Sequence, residues 1–240
     1  MKQFFLFFIF GISVSNLFAQ QKKGDNYIGI NGMYNTTISQ DGVEGNSVAV
    51  KSHLLNMGMT LSGSMNNHFL IGIGLDYVSQ NDDRNSSFIF HNQNNDYIKY
   101  ETMNLKSHVF LPNLFVGYYS HIVDRLYFNS NLKLSYGQVK TNTDGQQVSF
   151  KYTPPATTIG IPSGTVDVPV VYTNKAEDKT DFASTAIIPE LNYYFSNNFG
   201  LTLGLGGIQY SLTKWKTENS SFTVNFNPSN WQIGAKIRIK

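Results

Sequence analysis

Two adjacent pairs, Ser52-His53 and Ser107-His108, set a hydroxyl beside an imidazole, the groups a serine hydrolase needs, and Glu44 and Glu101 are candidates to orient a histidine. Neighbouring residues of an extended segment point to opposite faces, so neither pair makes a dyad by itself. Asp82, Asp83 and Asp96 offer oxygen ligands for calcium in an Asn-rich stretch, without the regular spacing and glycine of a calcium loop. His68 and His121 lack metal-site spacing and read as polar turn residues. Five further charges, Asp76, Lys133, Glu190, Lys236 and Arg238, fall on the polar face of otherwise apolar alternating segments. They read as a structural cluster in which Glu190 pairs with Lys133, Lys236 or Arg238. No catalytic residue, metal or cofactor is assigned.

Composition narrows the classes further. There is no Cys, which removes disulfides, thiolate metal sites and a lipid-bearing cysteine. Net charge is +2 with both signs scattered, so nucleic acid is not an expected partner. Charged residues make up 14% of the chain beside abundant Gly and Tyr, a balance that suits secreted β structure better than a helical protein.

The elements that must position those charges are strands. Met1 and Lys2 precede an apolar run from Phe4 to Val14, long enough for a signal peptide and too short to span a bilayer, with expected cleavage after Ala19. Residues 1–19 are thus read as signal and 20–240 as one domain. Beyond Ala19 no stretch approaches the ~20 apolar residues of a membrane helix, and period two dominates instead. Trp231, Ile233, Ala235, Ile237 and Ile239 alternate with Gln232, Gly234, Lys236, Arg238 and Lys240. The same alternation runs through Leu55 to Ser62 and Leu201 to Gly206. Four weaker segments begin near Ile28, Phe69, Phe128 and Pro189. Between Val109 and Tyr119 both faces are apolar and Pro112 interrupts, so a strand there rests on context.

Connections alternate in length. Short turns fall at 65–67, 121–125 and 196–198, and long polar stretches at 39–52, 80–104, 141–181 and 215–228. This asymmetry is expected of an outer-membrane barrel with short periplasmic turns and long extracellular loops. Tyr27, Phe69, Tyr118, Tyr119, Tyr127, Phe128, Tyr193, Tyr194, Phe195 and Phe199 collect near the short-turn end, and Tyr34, Tyr77, Phe110, Tyr136, Tyr210 and Trp231 near the other. Two aromatic girdles are the reading of that distribution. The expected fold is an all-β, closed, antiparallel up-and-down transmembrane barrel of eight strands. Ten strands are the alternative, because Val148, Phe150, Tyr152, Val166, Val168 and Val170 alternate within the longest stretch.

The segment Asn16-Leu17-Phe18-Ala19-Gln20, the opening strand from Tyr27 to Tyr34 and the terminal alternating strand give the chain a resemblance to the outer-membrane β-barrel domain family and to small barrels of the OmpX type. The resemblance covers nearly all of the mature chain and rests on pattern. It implies the outer membrane of a Gram-negative bacterium after export through the periplasm, with outer-membrane lipid and the barrel-assembly machinery as partners. Many such barrels end in an aromatic residue, where this sequence has Arg238, Ile239 and Lys240.

The expected function is a non-enzymatic envelope protein displaying extracellular loops for envelope structure, adhesion or recognition by an envelope or extracellular partner, or serving in an envelope assembly. A lipid-modifying enzyme using His53 or His108 and a soluble secreted barrel holding an apolar ligand are the alternatives. A wide porin needs more strands than this chain supplies, which leaves diffusion-pore activity a weaker alternative.

Overall fold

A computed structural model describes residues 24–43, 46–92, 95–153, 165–166, 169–215 and 217–239. The signal-peptide expectation falls outside them. The strands are β1 (Asn26–Val43), β2 (Asn46–Ser64), β3 (Phe69–Asn92), β4 (Asn95–Val123), β5 (Leu126–Thr153), β6 (Thr165–Val166), β7 (Val170–Tyr194), β8 (Phe199–Gly204), β9 (Gly207–Trp215), β10 (Thr217–Asn225) and β11 (Gln232–Ile239). Among the described residues no helix is long and apolar enough to cross a membrane.

Every pairing is antiparallel. β1 to β5 pair in chain order, β5 pairs with β7, β7 with β8, β8 with β11, and β11 returns to β1. Eight strands therefore close a ring, and closure removes the backbone edges that lipid could not satisfy. β9 continues β8 along β7, and β10 folds back on β9. Gly206 makes the break between β8 and β9: its φ is +83°, and a Cβ there would meet the carbonyl of Asn225.

Period two in the sequence becomes inside and outside in the ring. Ile30, Met59, Leu114, Leu134 and Ile233 are 55–68% exposed, whereas Asn129 and Asn192 are at most 1% exposed. A soluble barrel would reverse this, so the apolar outside is the membrane arrangement. The Val109 to Tyr119 ambiguity now has a cause. Outward Phe110, Leu114 and Val116 face lipid, while Val109, Leu111, Phe115 and Tyr119 are buried. Pro112 is tolerated because pairing to β5 lapses between His108↔Lys140 and Asn113↔Ser135 without a change of register.

Two expectations need correction. The long polar stretches are largely paired strand rather than loop: β3 and β4 stay in register to Asn92↔Asn95, and β5 and β7 to Ser149↔Val170. Polar side chains read as loop in the sequence, yet cross-strand hydrogen bonding needs no apolar residue once the register has been set below. Much of 215–228 is likewise β10, with Phe222 and Val224 exposed. Of the 148–170 segment, the described residues 148–153, 165–166 and 170 extend β5, β6 and β7 above the ring, and do not add two strands to it. Val168 lies outside the described residues.

The second correction concerns the lower girdle. Tyr193, Phe195, Phe199 and Phe69 are exposed, but Tyr27, Tyr119, Tyr127 and Tyr194 are buried together inside the ring. Each sits one residue away from an outward neighbour, and a count of aromatics near a turn is blind to that parity.

Candidate functional site

The site these strands build is the lumen. Lys133 on β5 reaches Asp76 on β3 at 2.5 Å, and Asn113 on β4, between them, donates to the same carboxylate at 3.1 Å. One level away, Lys236 on β11 lies 3.8 Å from Glu190 on β7, which also accepts from Asn129 at 3.1 Å. Asn129 donates to Asn131 as well, and Thr202 donates to Asn192 at 2.9 Å. Small residues make room for these groups: a Cβ on Gly58 would lie 2.7 Å from Asp76 Oδ1.

Near the short turns the lumen changes character. Tyr119 stacks on Tyr127 at 5.0 Å, and Tyr127 meets Tyr194 edge-on at 5.6 Å. The Arg238 guanidinium lies 5.7 Å from the ring centres of both Tyr27 and Tyr194, and 3.6 Å from Asp25. A cation held against two aromatic faces and a carboxylate retains favourable partners away from bulk water.

All five charges named from the sequence thus face the interior. The structure divides them, however: Glu190 pairs with Lys236, whereas Lys133 takes Asp76 and Arg238 takes Asp25. Strand parity gives the face of a side chain but not its height after barrel stagger, and height selects the partner. The aromatic packing around Arg238 was missed; the signal was available in Tyr27, Tyr119, Tyr127 and Tyr194 having the parity of the polar face.

The hydrolase candidates separate. Ser52 donates to Asp82 at 2.5 Å, while the His53 Nδ1 meets Tyr34 and Thr36 hydroxyls at 2.9 and 3.0 Å. Ser107 Oγ bonds Thr141 Oγ1 at 2.9 Å, and Glu101 lies 3.5 Å from Lys99. Glu44 lies outside the described residues. No Ser–His contact forms, so neither pair has the geometry of an activated nucleophile. Asp82 engages Ser52 and Gln80, and Asp83 accepts from Asn104. The Asp96 side chain lies outside the described residues. Among the described residues no cluster of His, Asp and Glu is placed to hold a metal. His68 stacks on Tyr118 and His121 packs against Tyr127, so both turn histidines are aromatic neighbours.

Chemically, the lumen offers paired charges and amides. A cavity of about 40 Å³ touches Lys133, Glu190 and Lys236, room for one or two water molecules among the paired groups. The interior is a polar plug with an aromatic floor.

No protein-family model matches the chain, and no curated protein matches it. Among solved structures, the attachment invasion locus protein Ail of Yersinia pestis aligns at 12% identity and a TM-score of 0.35, over 90% of this chain and 99% of that one. The outer membrane protein OprG of Pseudomonas aeruginosa aligns at 12% and 0.37, over 92% and 98%. The translocator domain of the autotransporter NalP of Neisseria meningitidis aligns at 12% and 0.29, over 95% and 93%. The barrel assignment stands on the strand pairing and exposure pattern of this chain.

Proposed function

We propose, from the premise that this chain is an outer-membrane β-barrel, that it is a non-enzymatic envelope protein carrying a rigid, sheet-built head outside the lipid for adhesion or recognition. One observation carries the reading: the strands crossing the membrane continue as paired strands far beyond the apolar band. From outward Tyr77 to Asn92, β3 runs fifteen further residues, about 50 Å along the strand at ~3.4 Å per residue. Spanning needs only ~9–11 residues per strand. The excess serves presentation, since a rigid frame holding polar groups in water is a common design for binding. The plugged lumen supports a display role over a pore.

The absence of cysteine makes the test clean. Ser87→Cys, on the head, and Asn66→Cys, at a short turn, are each labelled with a membrane-impermeant maleimide on intact and lysed cells. Ser87→Cys is expected to label on intact cells and Asn66→Cys only after lysis. The opposite order, or no enrichment in the outer membrane, overturns the reading.

A further inference from the structure

Above the lipid band, the outward face of β3, β4, β5 and β7 carries a lattice of polar side chains. Asp83, Asn104, Asp144 and Lys175 are direct cross-strand partners and form one row. Asn85, Thr102 and Gln146 form the next row toward the tips. Lys106, Asn142 and Glu177 form the row toward the membrane. The three rows border a shallow groove of about 750 Å³, a volume within the usual range for a bound small molecule. Columns stand about 5 Å apart and rows about 7 Å apart.

The lattice is held in place by its own bonds. Asn104 donates to Asn81 at 3.2 Å and to Asp83, while Lys175 lies 3.4 Å from Asp144. All of these residues except Asn81 also line the groove. Three carboxylates and two lysines alternate with amides and a hydroxyl in these rows, so neither a polyanion nor a polycation finds a complementary field. Met103 and Ala176 are the apolar residues of the groove's lining and no aromatic ring joins them, less than the apolar core on which protein interfaces depend. Sugar hydroxyls both donate and accept, which suits adjacent carboxylates and amides. Neighbouring strands stand ~4.8 Å apart, a step of the same order as the width of one sugar ring.

The geometry points to a binding site for a neutral, extended polysaccharide lying across the strands, one ring per strand. This rests on the surface-display reading and names the class of ligand displayed to. The test is calorimetric titration of the purified full barrel in detergent with cellohexaose and with the hexamer of N-acetylglucosamine, a heparin hexasaccharide serving as the charged comparison. Asn104→Leu and Gln146→Leu each remove a polar side chain lining the groove, and Ser39→Leu on β1 is the control outside it. Retained heat-modifiable gel mobility shows that each variant is folded.

At least one neutral hexamer is expected to bind, with affinity lowered about tenfold or more in both lattice variants and unchanged in Ser39→Leu. No binding by either neutral hexamer, equal binding by all variants, or preference for the heparin fragment overturns the proposal. A barrel that labels on intact cells yet binds no neutral hexamer keeps the display reading and loses this one. Labelling only after lysis removes the display reading whatever the calorimetry gives.

Discussion

Lys133 and Asp76 meet at 2.5 Å although their strands, β5 and β3, are not neighbours; β4 lies between them and contributes Asn113 to the same carboxylate. The contact therefore passes over β4 on the lumen side and ties three strands together. Both side chains are largely buried, with 15% and 11% of their surfaces exposed. Removing one partner leaves an uncompensated charge, which typically costs about 3–5 kcal/mol, while removing both costs less. Asp76→Ala is expected to destabilise strongly and Asp76→Leu/Lys133→Met mildly, as read by urea unfolding of the barrel in detergent. Equal losses would show that the pair has no coupling.

Gly72 is a close-approach position. A Cβ there would lie 2.6 Å from the carbonyl oxygen of Leu61 and run into the Phe115 ring. Phe115 is buried, so its ring fills the lumen by lying against bare backbone. Gly72→Ala is expected to cost about 1–3 kcal/mol, the usual range for overpacking. Adding Phe115→Leu should recover part of that loss, since it relieves the ring contact but not the carbonyl contact. The same unfolding measurement checks both, and a fully tolerated Gly72→Ala would contradict the packing.

How much of this was legible in the sequence follows from what period two encodes. Alternation in Trp231 to Ile239 and Leu55 to Ser62 assigns each residue a face, and the polar interior follows from those faces, while the count of eight needed the alternating turn lengths as well. It does not encode stagger, so Asp76 as the partner of Lys133 was out of reach. Nor does it reveal where strands end once the apolar face stops. Residues 80–92 lack apolar alternation yet stay paired with β4, because register is imposed from the apolar segment below. The lattice of Asn104 and Asp144 was hidden for that reason: its residues looked like loop chemistry until pairing made them neighbours.

Lys140 and Lys179 stand directly opposite each other on the outward face of β5 and β7, both exposed. Like charges at facing positions are destabilising by about 0.2–1 kcal/mol. Lys179→Glu is expected to raise stability by several tenths of a kcal/mol at low ionic strength, with the gain shrinking as salt is added. Unfolding midpoints at two salt concentrations decide it. An identical gain in both would assign the effect to something other than charge.

Among the described residues, β1 above Gly32↔Ile233 pairs with β2 alone, and β10 pairs with β9 alone. The turn Pro228–Asn230 sits beside β1 at this level, where Asn35 donates to Asn230 at 3.3 Å. Between Asn225 and Gln232 the chain spends seven steps, while the facing strand spends three between Gly204 and Gly207. The surplus is taken up by that turn, which stands between β10 and the paired part of β11 in the chain. Backbone groups on these two edges lack the second strand that protects β3, β4 and β5. Hydrogen exchange is expected to be fastest, among paired segments at the same height, along 33–43 and 217–225, and slow along β3 and β4. Uniform protection around the ring would mean that β1 and β10 zip together in solution, closing the seam that this register leaves.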